Sequence, residues 1–112
     1  MSSFRLSAEA QIDYFDAFDF IAGYSPRAVF KWEARMLETF RHLAIWPQTG
    51  MIRPEFGPPN IRFWVVDEYL VLYNSASNPV EIIAILHGAR DLSELIAARL
   101  LEEDLEGDDD ND

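Results

Sequence analysis

The stretch that decides the fold is Ile61–Val66 (IRFWVV), Asp67-Glu68, and Tyr69–Tyr73 (YLVLY). Both outer runs are β-branched or aromatic, and only two residues separate them, which is the spacing of a tight β-hairpin. Asp-Glu is not a favoured pair for the primed turns of such hairpins, so the turn type stays open. The stretch predicts two antiparallel strands joined by a short turn.

A third strand and a last helix follow the hairpin. Asn74–Pro79 has the composition of a turn, and Val80–His87 is apolar over most of its length. A continuous apolar run of strand length indicates burial on both faces of a sheet. Asp91 is a good cap for a helix that we expect to run from Leu92 to about Glu103.

Two helices and a short strand precede the hairpin. Ser7 is a good cap for a first helix that ends near Gly23, and Ser25 caps a second helix that has Pro26 at its first position. Apolar residues then recur every three or four residues from Val29 to Leu43, which predicts about five helical turns. The break is short, so the helices should form an antiparallel hairpin. Phe4–Leu6 alternates as a short strand does.

These elements predict an α+β fold. A loop rich in proline and glycine lies between Pro47 and Pro59 and separates the helices from the sheet. The order is a short N-terminal strand, an α-helical hairpin, a three-stranded antiparallel sheet and a C-terminal helix. We expect the helical hairpin on one face of the sheet and the terminal helix at its end.

Length, composition and charge limit the function classes. The chain has 112 residues, 49% of them hydrophobic, which suits one domain with a packed core. It has no cysteine and two histidines, so thiolate and multi-histidine metal sites are excluded. The net charge is −11, but residues 102–112 hold eight acids, and the remaining 12 acids and 9 bases give only −3. We therefore expect a domain over residues 1–103 and a disordered acidic tail over 104–112.

Neither a membrane span nor a metal site is expected. The longest apolar runs are strand-sized, far below the roughly 18 residues of a spanning helix, and the N-terminus lacks the core of a signal peptide. A cytoplasmic protein with no cofactor is the plain interpretation. Asp13, Asp16 and Asp19 recur every three residues, which favours a solvated helix face over a metal-binding row.

Several segments resemble the signature of the RelE/ParE superfamily, the toxic halves of type II toxin–antitoxin systems. The match spans about Phe4 to Ala98, and its most specific part is the His-Gly-Ala-Arg-Asp junction at 87–91. The other segments are Ser7–Ala10 at the first helix, Pro47-Gln-Thr-Gly50 with Arg53, Arg62 at a strand start, and the tyrosine strand Tyr69–Tyr73. The resemblance implies the fold predicted above.

The superfamily contains two mechanisms. RelE-type members resemble ribonucleases that cut messenger RNA on the ribosome with a cluster of Lys and Arg and a Tyr, because fixed cations stabilise the charged transition state. At the matching cationic positions this chain has Ile61, Phe63 and Leu70, and Leu95 and Ile96 replace the Tyr. Only an arginine at position 90 remains of that set.

The resemblance therefore implies the ParE branch, a non-enzymatic toxin that inhibits DNA gyrase by protein–protein binding. A cognate antitoxin would neutralise it, typically a small DNA-binding protein whose disordered C-terminus orders on binding. Two alternatives stay open: a RelE-like, ribosome-dependent mRNA endoribonuclease, and a non-toxic binding module for complex formation or autoregulation. A nearly neutral folded part with a single Lys suits direct nucleic-acid binding poorly, so none is expected.

Two sets of site residues follow, and neither contains a catalytic residue. His87 is expected to be structural, and one of Phe63 and Trp64 should face away from the core because they alternate on a strand. Either Phe4–Leu6 or Ile61–Val66 is an edge strand to which an antitoxin segment can add. The toxin-motif residues are Arg62, Tyr69, Tyr73, His87, Gly88, Arg90 and Asp91. The antitoxin-contact residues are Arg27, Lys31, Arg35, Arg41 and Trp64.

Overall fold

The computed structural model describes residues 3–88 and 91–109, with side chains as far as residue 103. Within these residues, three helices and five strands follow one another in the predicted α+β order, with one additional short strand. They are β1 (Phe4–Leu6), α1 (Ala8–Tyr24), α2 (Pro26–Ile45), β2 (Met51–Ile52), β3 (Ile61–Val66), β4 (Tyr69–Asn74), β5 (Val80–His87) and α3 (Leu92–Asp109).

The helix starts follow the predicted caps. The Ser7 hydroxyl accepts a hydrogen bond from the amide of Ala10 at 3.1 Å, and the Ser25 hydroxyl accepts one from the amide of Ala28 at 3.2 Å. Each bond satisfies an amide that has no partner within the first helical turn. The Asp91 carboxylate likewise accepts from the amide of Ser93 at 3.2 Å, so this predicted cap is confirmed.

The sheet has the strand order β1-β5-β4-β3-β2. The three strands β3, β4 and β5 are antiparallel as predicted, while β1 pairs parallel with β5. β2 was not predicted, because its two residues are too short for a period to be read within the proline-rich loop. It pairs antiparallel with Arg62 and Phe63 and forms one edge of the sheet.

The turn between β3 and β4 is a two-residue turn, since Val66 pairs with Tyr69. Asp67 lies in the left-handed region with φ 54°, a conformation that Asp tolerates better than most residues. Its carboxylate binds the guanidinium of Arg35 at 2.7 Å. The turn, whose type the sequence left open, is therefore stabilised by an ion pair with α2.

Both faces of the sheet are covered, by different helices. α1 and α2 pack on one face, around buried residues that include Met36, Leu43 and Val71. α3 packs on the opposite face through Ile96, against Leu72 and other residues of the strands. The expectation that the terminal helix lies at the end of the sheet was wrong, because apolar side chains on that second face need their own cover.

The last helix continues past its predicted end at Glu103, to Asp109, although Asp and Gly, which are weak helix formers, supply four of the six added residues. The division into a domain over 1–103 and a tail over 104–112 stays a prediction, and residues 110–112 lie outside the described part. None of the helices in the described ranges is both long enough and apolar enough to cross a membrane.

Candidate functional site

The toxin-motif residues divide between the two ends of the sheet. Tyr69 pairs with His87 across β4 and β5, and Gly88 follows at that end. Arg62 pairs with Tyr73 across β3 and β4 at the other end. Tyr69 and Tyr73 are four residues apart on one strand and share the face beneath the helical hairpin. Arg90 lies outside the described residues, and its role stays a prediction.

At one end, Tyr73 holds the Pro-x-x-Gly loop. Its hydroxyl donates to the carbonyl of Pro47 at 2.7 Å and accepts from the amide of Gly50 at 2.8 Å. Arg62 donates from Nη1 to the carbonyls of Gly50 and Gln48, at 2.9 and 3.2 Å. These two motif residues therefore position a loop, because the Tyr73 hydroxyl and Nη1 of Arg62 bind its backbone.

Gly50 is required by the closeness of this contact. A Cβ atom at position 50 would lie 2.6 Å from the Tyr73 hydroxyl and 2.8 Å from its ring carbon Cε1. Burial raises the pKa of Tyr73, and the Gly50 hydrogen bond and the charge of Arg62 offset only part of that rise. The phenol therefore stays protonated at neutral pH and can donate to Pro47.

At the other end, the His87 loop is joined to the β3–β4 turn. The imidazole Nε2 lies 3.6 Å from Oε2 of Glu68, and the ring meets that of Tyr69 edge-on at 5.1 Å. The amide of Gly88 donates to the carbonyl of Glu68 at 2.8 Å. These contacts agree with the structural role expected for His87. A cavity of about 360 Å³ opens here, lined by Val65, Asp67, Glu68, Tyr69, Leu70, His87, Gly88 and Leu92.

The positions that the resemblance assigns to ribonuclease catalysis meet in one apolar cluster beneath α3. Ile61, Phe63 and Ile96 are buried in it, with 6%, 6% and 1% of their surfaces exposed. Leu70 and Leu95 pack against them. The five side chains thus form a hydrophobic core on the second face of the sheet, where the resemblance places the cations and the Tyr of a nuclease.

An apolar cavity of about 470 Å³, here called the hairpin groove, lies between α1, α2 and β1. The Tyr14 hydroxyl donates to Glu33 at 3.0 Å within it, and burial together with Glu33 raises the pKa of Tyr14. The groove is lined by Phe4, Leu6, Tyr14, Phe30, Glu33, Ala34, Leu37 and Phe40. Sequence reasoning missed Phe30 and Leu37, although two apolar residues seven apart beside the α2 core stripe were a readable signal.

The antitoxin-contact residues have different environments. Arg27, Lys31 and Arg41 are exposed on α2, whereas Arg35 is engaged by Asp67. Trp64 is half-buried against the core beneath the hairpin. The expectation that Phe63 or Trp64 faces away from the core was wrong, because both faces of the sheet are covered. As antitoxin contacts, all five residues stay predictions.

The acidic row on α1 is not one solvated face. Asp16 and Asp19 are exposed, but the Asp13 carboxylate is 14% exposed and binds the guanidinium of Arg99 at 2.7 Å. It also accepts a hydrogen bond from the backbone amide of Ile85 at 2.9 Å. In residues 3–88 and 91–103, whose side chains are described, no group of three or more potential ligands is placed to hold a metal ion.

A helical hairpin on one face of a mostly antiparallel sheet, followed by a Pro-x-x-Gly loop, is the arrangement that the resemblance to the RelE/ParE superfamily implies. The family model described as "ParE toxin of type II toxin-antitoxin system, parDE" matches residues 4–92, and the chain belongs to that family. It is accordingly the toxin component of a type II toxin–antitoxin system.

A solved structure supports the same fold. A chain of the chromosomal ParDE TA system from P. aeruginosa matches 78% of this chain and 96% of its own length, with a TM-score of 0.62. The two sequences are 18% identical, so this likeness speaks for the fold alone. No curated protein matches the chain.

Proposed function

We propose that this toxin acts by binding a protein target, DNA gyrase, and not by cleaving RNA. The observation that argues against RNA cleavage is the apolar cluster beneath α3, in which Ile61, Phe63 and Ile96 fill the positions that a nuclease of this fold would need. Membership of the ParE toxin family supports gyrase as the target. RNA cleavage by the 2′-hydroxyl builds negative charge on phosphate, and fixed cations must stabilise it. Buried isoleucine and phenylalanine supply none.

The basic residue of α3 is already engaged. Arg99 donates to both carboxylate oxygens of Asp13, at 2.7 and 3.1 Å, and to the backbone carbonyl of Ile83 at 2.7 Å. A guanidinium with three such bonds is not available to a phosphate unless the link between α1 and α3 breaks. Arg99 cannot bind Asp13 and a phosphate at the same time, which favours a binding mechanism over a catalytic one.

Neutralisation by a cognate antitoxin belongs to the same proposal, and the hairpin groove is its proposed site. The groove is apolar, and the exposed Arg27, Lys31 and Arg41 lie on the helix that forms one of its walls. An amphipathic antitoxin segment with apolar side chains toward the groove and carboxylates toward α2 would match both features. Family membership supports the existence of such a partner.

The test compares two activities of one toxin preparation. Purified toxin is added to gyrase, relaxed plasmid and ATP, and in parallel to translating ribosomes that carry a defined message. We expect loss of supercoiling with accumulation of linear plasmid, both reversed by antitoxin, and full-length message on the ribosomes. Cleaved message with unaffected gyrase would overturn the proposal in favour of the endoribonuclease, and no effect in either assay would favour a non-toxic binding module.

A further inference from the structure

The two helices of the hairpin carry opposite charges. α1 has four acidic residues and no basic one, whereas α2 has four basic residues and two acidic ones. On the outer surface, Asp16 and Asp19 of α1 are exposed, as are Arg27, Lys31 and Arg41 of α2. The outer surface of the hairpin is therefore acidic along one helix and mainly basic along the other.

These surface charges lack ion-pair partners in the part of the chain whose side chains are described. Across residues 3–88 and 91–103, the ion pairs involve neither Asp16 and Asp19 nor Arg27, Lys31 and Arg41. Large apolar side chains lie on the same two helices. Ile12, Phe15 and Phe30 are 61%, 63% and 65% exposed, an unusual amount for such side chains on neighbouring helices.

We propose that a second copy of this chain covers the outer surface of the hairpin. We consider a twofold-symmetric pair whose axis runs parallel to α1 and α2, along the line between them. In this pair α1 of each copy contacts α2 of the other copy. Asp16 and Asp19 then face the partner's Arg27 and Lys31, and the contact occurs twice because the axis repeats it. Ile12, Phe15 and Phe30 supply the apolar centre, so the second copy and an antitoxin segment compete for Phe30, which also lines the hairpin groove. The charge pattern fits this arrangement, since α1 against α1 would place like charges together.

The available area is that of a small, reversible interface. An α2 of 20 residues is about 30 Å long, and two adjacent helices are about 20 Å wide. The footprint is therefore roughly 600 Å² per copy, somewhat below the roughly 800 Å² of a standard stable interface. We expect a reversible dimer with a dissociation constant on the order of micromolar, weakened by added salt.

The test is the oligomeric state of the full chain, measured by sedimentation velocity over a range of concentrations. One variant carries Asp16→Lys and Asp19→Lys, a second carries Arg27→Glu and Lys31→Glu, and a third combines all four changes. Glu55→Lys with Glu94→Lys is the control, because it alters net charge as the first variant does but lies outside the hairpin. Circular dichroism and thermal unfolding establish that each variant folds.

The expected pattern is specific to the proposed pairing. The first two variants should raise the dissociation constant more than about tenfold, since like charges then meet across the axis. The combined variant should dimerise again, because every facing pair is opposite in sign once more, and the control should match the unaltered chain. A monomeric unaltered chain at tens of micromolar, dimers that persist in both reversal variants, or a combined variant that stays monomeric would each overturn the proposal.

Discussion

The carboxylate of Asp13 and the guanidinium of Arg99 form a two-point ion pair that joins the first helix to the last, with contacts of 2.7 and 3.1 Å. The pair also closes an edge of the sheet. β1 pairs with β5 only as far as Ile82. Beyond it, Asp13 accepts from the amide of Ile85, and Arg99 donates to the carbonyl of Ile83. These two side chains thus make the hydrogen bonds to β5 that a longer β1 would make.

Asp13→Asn should destabilise the fold strongly. The side chains of Asp13 and Arg99 are 14% and 15% exposed, and burial opposes the charge of Arg99, but the hydrogen bonds and charge of Asp13 outweigh it and raise the pKa of the guanidinium. Loss of one partner leaves a largely buried cation, which costs about 3 kcal/mol in the free energy of unfolding.

Urea unfolding measures this loss, and Arg5→Gln is the matched control. The Arg5–Glu81 pair is far more exposed, at 59% and 20%, so its loss should cost less than about 1 kcal/mol. Equal losses in the two variants would contradict the assignment of Asp13 and Arg99 as the structural pair.

Gly50→Ala and Gly23→Ala should have opposite effects on stability. The new methyl group at position 50 would collide with the buried Tyr73, which should lower the free energy of unfolding by about 1–3 kcal/mol. Nothing lies within 4 Å of a Cβ at position 23, which is in α1, so alanine there should stabilise by up to about 1 kcal/mol. Thermal unfolding of both variants checks the pair, and a neutral Gly50→Ala would refute the tight contact.

Leu37→Asp should weaken antitoxin binding. It places a carboxylate in the apolar hairpin groove, and truncating or charging a central contact typically costs tenfold or more in affinity. Ile45→Asp makes the same kind of change on an exposed part of α2 outside the groove, and should leave affinity within about threefold. Calorimetric titration with the antitoxin's C-terminal segment distinguishes them. Similar losses in both would remove the groove as the site.

Alkaline pH should destabilise the chain less when Tyr14 is replaced by Phe. The folded state raises the pKa of Tyr14 above its unfolded value of about 10, through burial first and then Glu33. The folded state therefore binds the phenolic proton more tightly than the unfolded state does. The stability that this difference contributes is complete below about pH 10 and is lost as pH rises above it. Between pH 8 and pH 11, urea unfolding should reveal a smaller loss in the free energy of unfolding for Tyr14→Phe than for the unaltered chain. An equal loss would show that ionisation of Tyr14 is not the cause.

Arg90→Ala should reduce growth inhibition, because position 90 lies at the strand–helix junction of the toxin motif. The control is Arg5→Ala, which removes the same charge from β1, where the exposed Arg5 side chain binds the Glu81 carboxylate near the start of β5. Plating efficiency after induction, at matched protein levels, measures both. Undiminished killing by Arg90→Ala would exclude this arginine from the site.

Much of the fold was readable from the sequence because its signals are local. The caps at Ser7, Ser25 and Asp91 and the apolar period of α2 depend on a few neighbouring residues, and all were predicted. The side of the sheet that α3 occupies was not, since it depends on which of two apolar faces remains uncovered after α1 and α2 have packed. Period alone does not contain that information.

The candidate site was predicted in part, for the same reason. The sequence pointed to Tyr73 and Gly50 as motif residues, but their 2.8 Å hydrogen bond joins positions 23 apart in the chain. Asp13 was placed on a solvated face because its spacing matches that of Asp16 and Asp19. Its partner, Arg99, lies 86 residues away, and no pattern along the chain links them.

The apolar cluster beneath α3 also constrains the evolution of this lineage. A lysine in place of Ile61 or Phe63 would bury an unpaired ammonium at a position only 6% exposed, which costs several kcal/mol. Total stabilities of small domains are about 5–15 kcal/mol, so two such changes would unfold the chain before a cationic set was complete. A cationic set at these positions therefore requires that the core beneath α3 be rebuilt first.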